Sequence, residues 1–183
     1  CGHKGAWPYP RLGENCYAAA MEEAVSRSAA GASDSPAGNL AVRPIAGGIG
    51  WSVGEYVCRA GPGDRPFEER HHAVSIPAVI EGSFNYASSS GRGLLHTGAL
   101  LLGNHGACYK CGHDHGIGDR CISVQFSPNY SAEIAATVAG SSEFRFPVAM
   151  LPAHREILAP TAILETIAMG GDPLRVDEHL VRF

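Results

Sequence analysis

The chain has 183 residues, which suits one domain with some additions and is long enough to bury a sizeable core without disulfide staples. Charged residues make up only 17%, the net charge is -4 and there is no basic run, which argues against direct binding to nucleic acid through clustered Lys and Arg. No stretch approaches a membrane span, the first twenty residues lack the apolar core of a secretion signal, and the 23 Gly and 12 Pro favour turns and short strands.

Residues 1–38 read as a flexible N-terminal tail, because they show no clear period and turn rich in Ala, Ser, Gly and Pro from Ser26 to Gly38. Ala18, Ala19, Ala20, Met21, Glu22 and Glu23 allow a short helix between Tyr17 and Ser26. Met21 would serve as a natural start, which leaves open whether residues 1–20 are native.

From Asn39 the texture changes to strands. Leu40 to Ile45 is the first, with Pro44 marking an edge or bulge. Trp51 to Cys58 is the second and has apolar groups on both faces. Gly61 to Pro66 is a turn cluster, and Glu68, Glu69 and Arg70 read as a solvated rim. Val74 to Ile80 and Ser83 to Tyr86 read as two strands separated by Glu81 and Gly82, and Ser88 to Gly93 as a turn. Leu94, Leu95 and the run Ala99 to Leu102 continue the pattern. In Arg120 to Phe126, Cys121, Ser123 and Gln125 fall on one face and Ile122, Val124 and Phe126 on the other. Many short strands with regular turns predict a mostly-β sandwich or barrel over residues 39–128.

Residues 129–183 read as a mainly helical segment. A helix is expected over Ala132 to Val138, capped by Asn129 or Ser131, then an extended stretch from Glu143 to Leu151. A second helix is expected over Glu156 to Met169, with Pro160 kinking it or marking its first turn and Gly170-Gly171 ending it. Asp172 and Pro173 would open a short last helix through Val181.

Five candidate metal or redox ligands fall within residues 108–121: Cys108, Cys111, His113, His115 and Cys121. Thiolate and imidazole are the ligands that hold zinc, and Cys-x-x-Cys suggests two sulfurs sharing one ion. Gly112, Gly116 and Gly118 let this loop fold back so that Cys121 meets the Cys-x-x-Cys. Two other readings stay open. The cysteines are small buried hydrophobes, or Lys110 lowers a thiol pKa and the pair is a redox switch. His71 and His72 are adjacent, so at most one faces a barrel interior. Asp119 and Arg120 read as a structural ion pair or as holding the Cys121 strand. Cys58 reads as a buried strand cysteine, at a distance from the cluster that the sequence leaves open.

Gly61-Pro-Gly-Asp-Arg-Pro-Phe-Glu-Glu-Arg-His, Gly82-Ser-Phe-Asn-Tyr, Gly98-Ala-Leu-Leu-Leu-Gly-Asn and Cys111-Gly-His-Asp-His-Gly-Ile-Gly-Asp-Arg-Cys121 arrive in that order. As a set, they resemble the N-terminal sensory domain of AraC-family transcriptional regulators, of the cupin type. The resemblance covers about Leu40 to Pro128 well and extends to the C-terminal helices. It implies a single cupin-like barrel of the double-stranded β-helix or jelly-roll kind, with a small helical C-terminal part. It implies a non-enzymatic sensor of a small molecule or metal, acting as a homodimer, with helices over 129–183 that support linkage or dimerisation. Zinc is the ion expected from the Cys/His loop, and a cytoplasmic location is expected from the lack of a signal or span in the sequence. DNA would be reached only through a C-terminal unit not present in these residues. The alternatives are a stand-alone cupin metalloenzyme (a small-molecule dioxygenase or isomerase), a thiol redox sensor, and a plain dimerisation module.

Overall fold

The structure is a computed structural model that describes residues 39–114, 116 and 118–170. The expected tail over 1–38, His115 and the expected helix from Asp172 lie outside the described residues. In chain order the strands are β1 (Leu40–Gly48), β2 (Trp51–Cys58), β3 (Phe67–Arg70), β4 (Val74–Ser88), β5 (Gly91–His96), β6 (Leu100–Leu101), β7 (Cys108–Gly112), β8 (Asp119–Phe126) and β9 (Met150–Leu151). Helix α1 (Pro128–Ala139) lies between β8 and β9, and α2 (Arg155–Ala168) follows β9. The fold is mostly β with a helical C-terminal part, as expected.

The long strand β4 belongs to two sheets. Its first half pairs with β8 in the order β1-β2-β8-β4-β6-β9, and its second half pairs with β5 and β7, with β3 beyond β7. Every ladder is antiparallel. The strand changes sheets at Gly82, where φ is 77° and an added Cβ would strike the Gly118 carbonyl. A register shift between Val79 and Glu81 precedes that corner. A bulge followed by a glycine is how a strand bends without breaking.

Alternation then sorts side chains into two cores. On one face Val53, Ala78, Ile80, Leu100, Ile122 and Val124 pack with Leu164, Ile167 and Ala168 of α2. On the other, Val79, Leu101 and Cys121 meet Phe84, Tyr86, Leu95 and Cys111 between the two sheets. The face assignment expected for β8 therefore holds, with Ile122 and Val124 under α2 and Cys121 inward.

Several element boundaries differ from expectation. Ser83 to Tyr86 is continuous with Val74 to Ile80, and the turn before β5 shrinks to Ser89 and Ser90 because Gly91 takes φ 143°. Glu68 to Arg70 form part of β3, paired with β7, rather than a solvated loop. Their charge hid a strand whose side chains find polar partners: Glu68 pairs with Lys110 and Glu69 accepts from Tyr109. Helix α1 is capped by Ser127, which accepts from the Tyr130 N–H, and not by Asn129 or Ser131. Pro128 then sits where a missing N–H costs no helix bond. Pro160 lies inside α2, beyond its first turn, and 143–149 forms no strand. Among the described residues no helix is long and apolar enough to cross a membrane.

Candidate metal centre

Cross-strand pairing of β2 with β8 sets Cys58 directly opposite Asp119, and Tyr56 opposite Cys121. The loop from β7 must then fold over this corner, and Gly118 makes that fold possible. It takes φ 70°, its N–H donates to the Ala60 carbonyl at 2.9 Å, and a Cβ there would run into the Cys58 carbonyl. No other residue type fits such a close backbone approach with positive φ.

The fold-over buries His113, whose side chain is 1% exposed. Its Nε2 lies 2.8 Å from Asp119 Oδ2, while Cys121 Sγ donates to Asp119 Oδ1 at 3.3 Å. A carboxylate only accepts, so the imidazole proton sits on Nε2. The other ring nitrogen, Nδ1, is buried and has no partner among the described residues. One ligand atom from each of Cys58, His113 and Asp119 lies within 4.8 Å of the others.

Thiol, imidazole and carboxylate converging at this largely buried corner are a ligand set suited to zinc. The orphaned Nδ1 is the observation that fits a cation: buried acceptors without a partner are rare, and a metal bond would satisfy this one. Asp119 would serve in one of two ways: as a ligand beside Cys58 and His113, or, through its bond to Nε2, as the carboxylate that orients a metal-binding histidine.

The sulfurs are poised as neutral thiols. Burial, then the charge of Asp119, pushes Cys111 and Cys121 well above the usual thiol range. Burial also raises Cys58. The pKa lowering expected from Lys110 is therefore not seen at Cys111, and Lys110 instead lies 3.5 Å from Glu68. A divalent cation reverses this setting, since metal binding deprotonates a coordinating thiol.

Of the residues singled out from sequence, His113, Cys111 and Cys121 come into or beside this buried cluster. Cys108 does not. It lies on β7, three residues from Cys111, and residues three apart on a strand face opposite sides. Cys108 is disulfide-bonded, while Cys58, Cys111 and Cys121 are free. His115 lies outside the described residues.

Sequence reasoning missed the roles of Cys58 and Asp119. Only the β2–β8 register joins them, and no local motif spans residues 58 and 119.

His71 forms a separate polar cluster. Its Nε2 is 2.8 Å from the Tyr86 hydroxyl, its Nδ1 is 3.0 Å from the Ser75 hydroxyl, and its ring stacks on Tyr109 at 4.2 Å. Burial, aided by His72, lowers its pKa to about 4. His72 is exposed, so only one of the adjacent pair turns inward, as expected. With both nitrogens engaged, His71 offers no free lone pair to a metal.

No family model matches the chain, and no curated protein matches it. Among solved structures it is similar to a cupin superfamily protein from Desulfitobacterium hafniense, at 7% identity and a TM-score of 0.41, over 52% of this chain and 84% of that one. It is similar to the Cupin_2 domain of an XRE family transcriptional regulator from Enterobacter cloacae, at 11% identity and a TM-score of 0.42, over 49% of this chain and 98% of that one. It is also similar to the Schizosaccharomyces pombe Cnp3 cupin domain, at 11% identity and a TM-score of 0.43, over 60% of this chain and 80% of that one.

Proposed function

We propose that this chain is the sensory domain of an AraC-like transcription regulator, non-enzymatic, built around a zinc-type centre formed by Cys58, His113 and Asp119 with Cys121 beside them. The observation that supports it is the convergence of ligand atoms of Cys58, His113 and Asp119 within 4.8 Å, on a buried imidazole whose Nδ1 has no partner among the described residues. In this reading the chain acts as a cytoplasmic homodimer, with DNA reached through a separate C-terminal unit. An effector regulates only if it binds one arrangement better than the other, so the metal must favour the ordered form of the loop before β8.

The rival reading, a cupin metalloenzyme, needs an open metal position lined by several imidazoles. The double engagement of His71 counts against it, and no observation favours it.

The test is elemental analysis of purified protein, with thiols titrated before and after chelation. About one zinc per chain, and thiols released by the chelator, is the expected result. Cobalt substitution should give strong thiolate-to-metal charge-transfer bands. Metal-free protein that takes up no added zinc sinks the proposal; bound cobalt without those bands moves the site away from sulfur.

A further inference from the structure

β8 alternates between two tasks at its N-terminal end. Asp119 and Cys121 face the buried cluster, and Arg120 between them points to the opposite face, the one covered by α2. There its Nε is 2.8 Å from Glu55 of β2, and its Nη1 is 3.3 Å from Glu81 of β4 and 3.2 Å from Glu165 of α2. Glu55 is shared: its second oxygen is 2.7 Å from Nε of Arg43 on β1. Arg43 also donates from Nη2 to the carbonyl of Ala168, at 2.9 Å. That carbonyl belongs to the last turn of α2, where carbonyls lack helical partners.

Two guanidinium groups and three carboxylates thus tie the C-terminal end of α2 to four adjacent strands, β1, β2, β8 and β4. One of these guanidiniums sits between two residues of the metal cluster. Val57, its cross-strand neighbour, directly precedes Cys58. Drawing Cys58, Asp119 and His113 together on an ion would fix the β2–β8 strand ends against each other, and Arg120 moves with that backbone.

We propose that α2 reports the occupancy of the metal centre: Arg120 couples the strand end bearing Asp119 and Cys121 to Glu165, so a divalent cation in the site holds the end of α2 more firmly. This rests on the metal reading above and names its output. Coupling is reciprocal, so releasing α2 also weakens the metal.

The test is hydrogen–deuterium exchange of the full chain, with and without zinc sulfate, in the wild type, Arg120→Gln and Glu165→Gln. Bound zinc is counted in each sample. In the wild type, zinc should slow exchange over residues 163–168 by about fivefold or more, the lower end of ordinary coupling. In both variants zinc should still bind at the wild-type stoichiometry, with that slowing largely lost. Bound zinc with unchanged α2 exchange in the wild type overturns the relay and leaves the metal site standing. Slowing that persists equally in both variants also overturns it. Failure of the wild type to bind zinc overturns the metal reading and the relay together. If Arg120→Gln fails to fold, Glu165→Gln decides, since its side chain is 40% exposed on the helix.

Discussion

Asp119→Asn tests the candidate centre most directly, because it preserves shape and removes only charge and one acceptor. In the wild type one carboxylate oxygen serves the His113 imidazole and the other serves the Cys121 thiol. An Asn side chain has a single acceptor oxygen, and its amide group only donates. One of the two buried groups then faces an amide N–H in place of an acceptor and must rotate or give up its hydrogen bond, at a cost of up to about 1–3 kcal/mol. The metal loses more: whether Asp119 is a ligand or the group orienting His113, its replacement should weaken zinc by about 10–100-fold. A third effect runs the other way. After burial, the Asp119 charge is the next cause raising Cys111 and Cys121, so removing it should move their thiolate titrations to lower pH. Competition for zinc against a chromophoric chelator, denaturant unfolding of the metal-free protein and thiolate absorbance cover all three. Zinc affinity within about twofold of the wild type would refute a metal role for Asp119, since orienting carboxylates are worth more than that.

Other perturbations separate the parts. Burial and His72 hold the pKa of His71 at about 4, below the ordinary histidine value of about 6.5. The unfolded chain therefore binds the proton first. The stabilisation is complete above about pH 6.5 and fades by about 3 kcal/mol as pH falls towards 4. In His71→Gln, the part of the urea-midpoint change with pH that belongs to this group should vanish; an identical profile refutes it. Cys58→Ser should lose most zinc, whereas Cys108→Ser should retain it, because Cys108 lies on the other face of β7; metal analysis giving the reverse order would restore the Cys-x-x-Cys as the site. Gly118→Ala should destabilise by more than about 1 kcal/mol, from its positive φ and the collision with the Cys58 carbonyl, and should weaken zinc by displacing His113. Unfolding curves superposable on the wild type would rule out that backbone contact.

The parts of the fold that could be read from sequence are those where one face is apolar. β8 declared its alternation because Ile122, Val124 and Phe126 alternate with Cys121, Ser123 and Gln125. α2 declared itself through Ile157, Ile163, Leu164 and Ile167, several of which reach the core. β3 and β7 stayed hidden because they pair with each other through polar residues, with Glu68 opposite Lys110 and Glu69 opposite Tyr109. That omission also bears on the Cys-x-x-Cys, whose residues begin and end within β7. Cys-x-x-Cys places two sulfurs on one ion when the backbone turns, and on a strand it separates them. The cluster itself depends on β2–β8 register, a long-range fact with no local signature. His113 and Cys121 were legible as ligand types, Cys58 and Asp119 only once the strands were paired.

The energetics of the cluster give a reason to expect that metal and stability are linked. A buried imidazole acceptor without a partner costs about 1–3 kcal/mol wherever it occurs. Here that nitrogen belongs to a ring held by Asp119, in a cluster whose thiols burial raises well above their ordinary range. A cation bound at Nδ1 removes that cost and deprotonates the sulfurs that coordinate it. Because the ligands lie on β2, β8 and the loop between β7 and β8, they are brought together only by the folded chain. Binding should then stabilise by RT ln(1 + [Zn]/Kd), about 2.7 kcal/mol at a free zinc concentration 100 times Kd. Denaturant unfolding over a zinc series should trace that logarithmic rise in the wild type and stay flat in Cys58→Ser. A wild type whose stability ignores zinc would mean that the folded state offers no better site than the unfolded chain, and that the orphaned nitrogen has some other purpose.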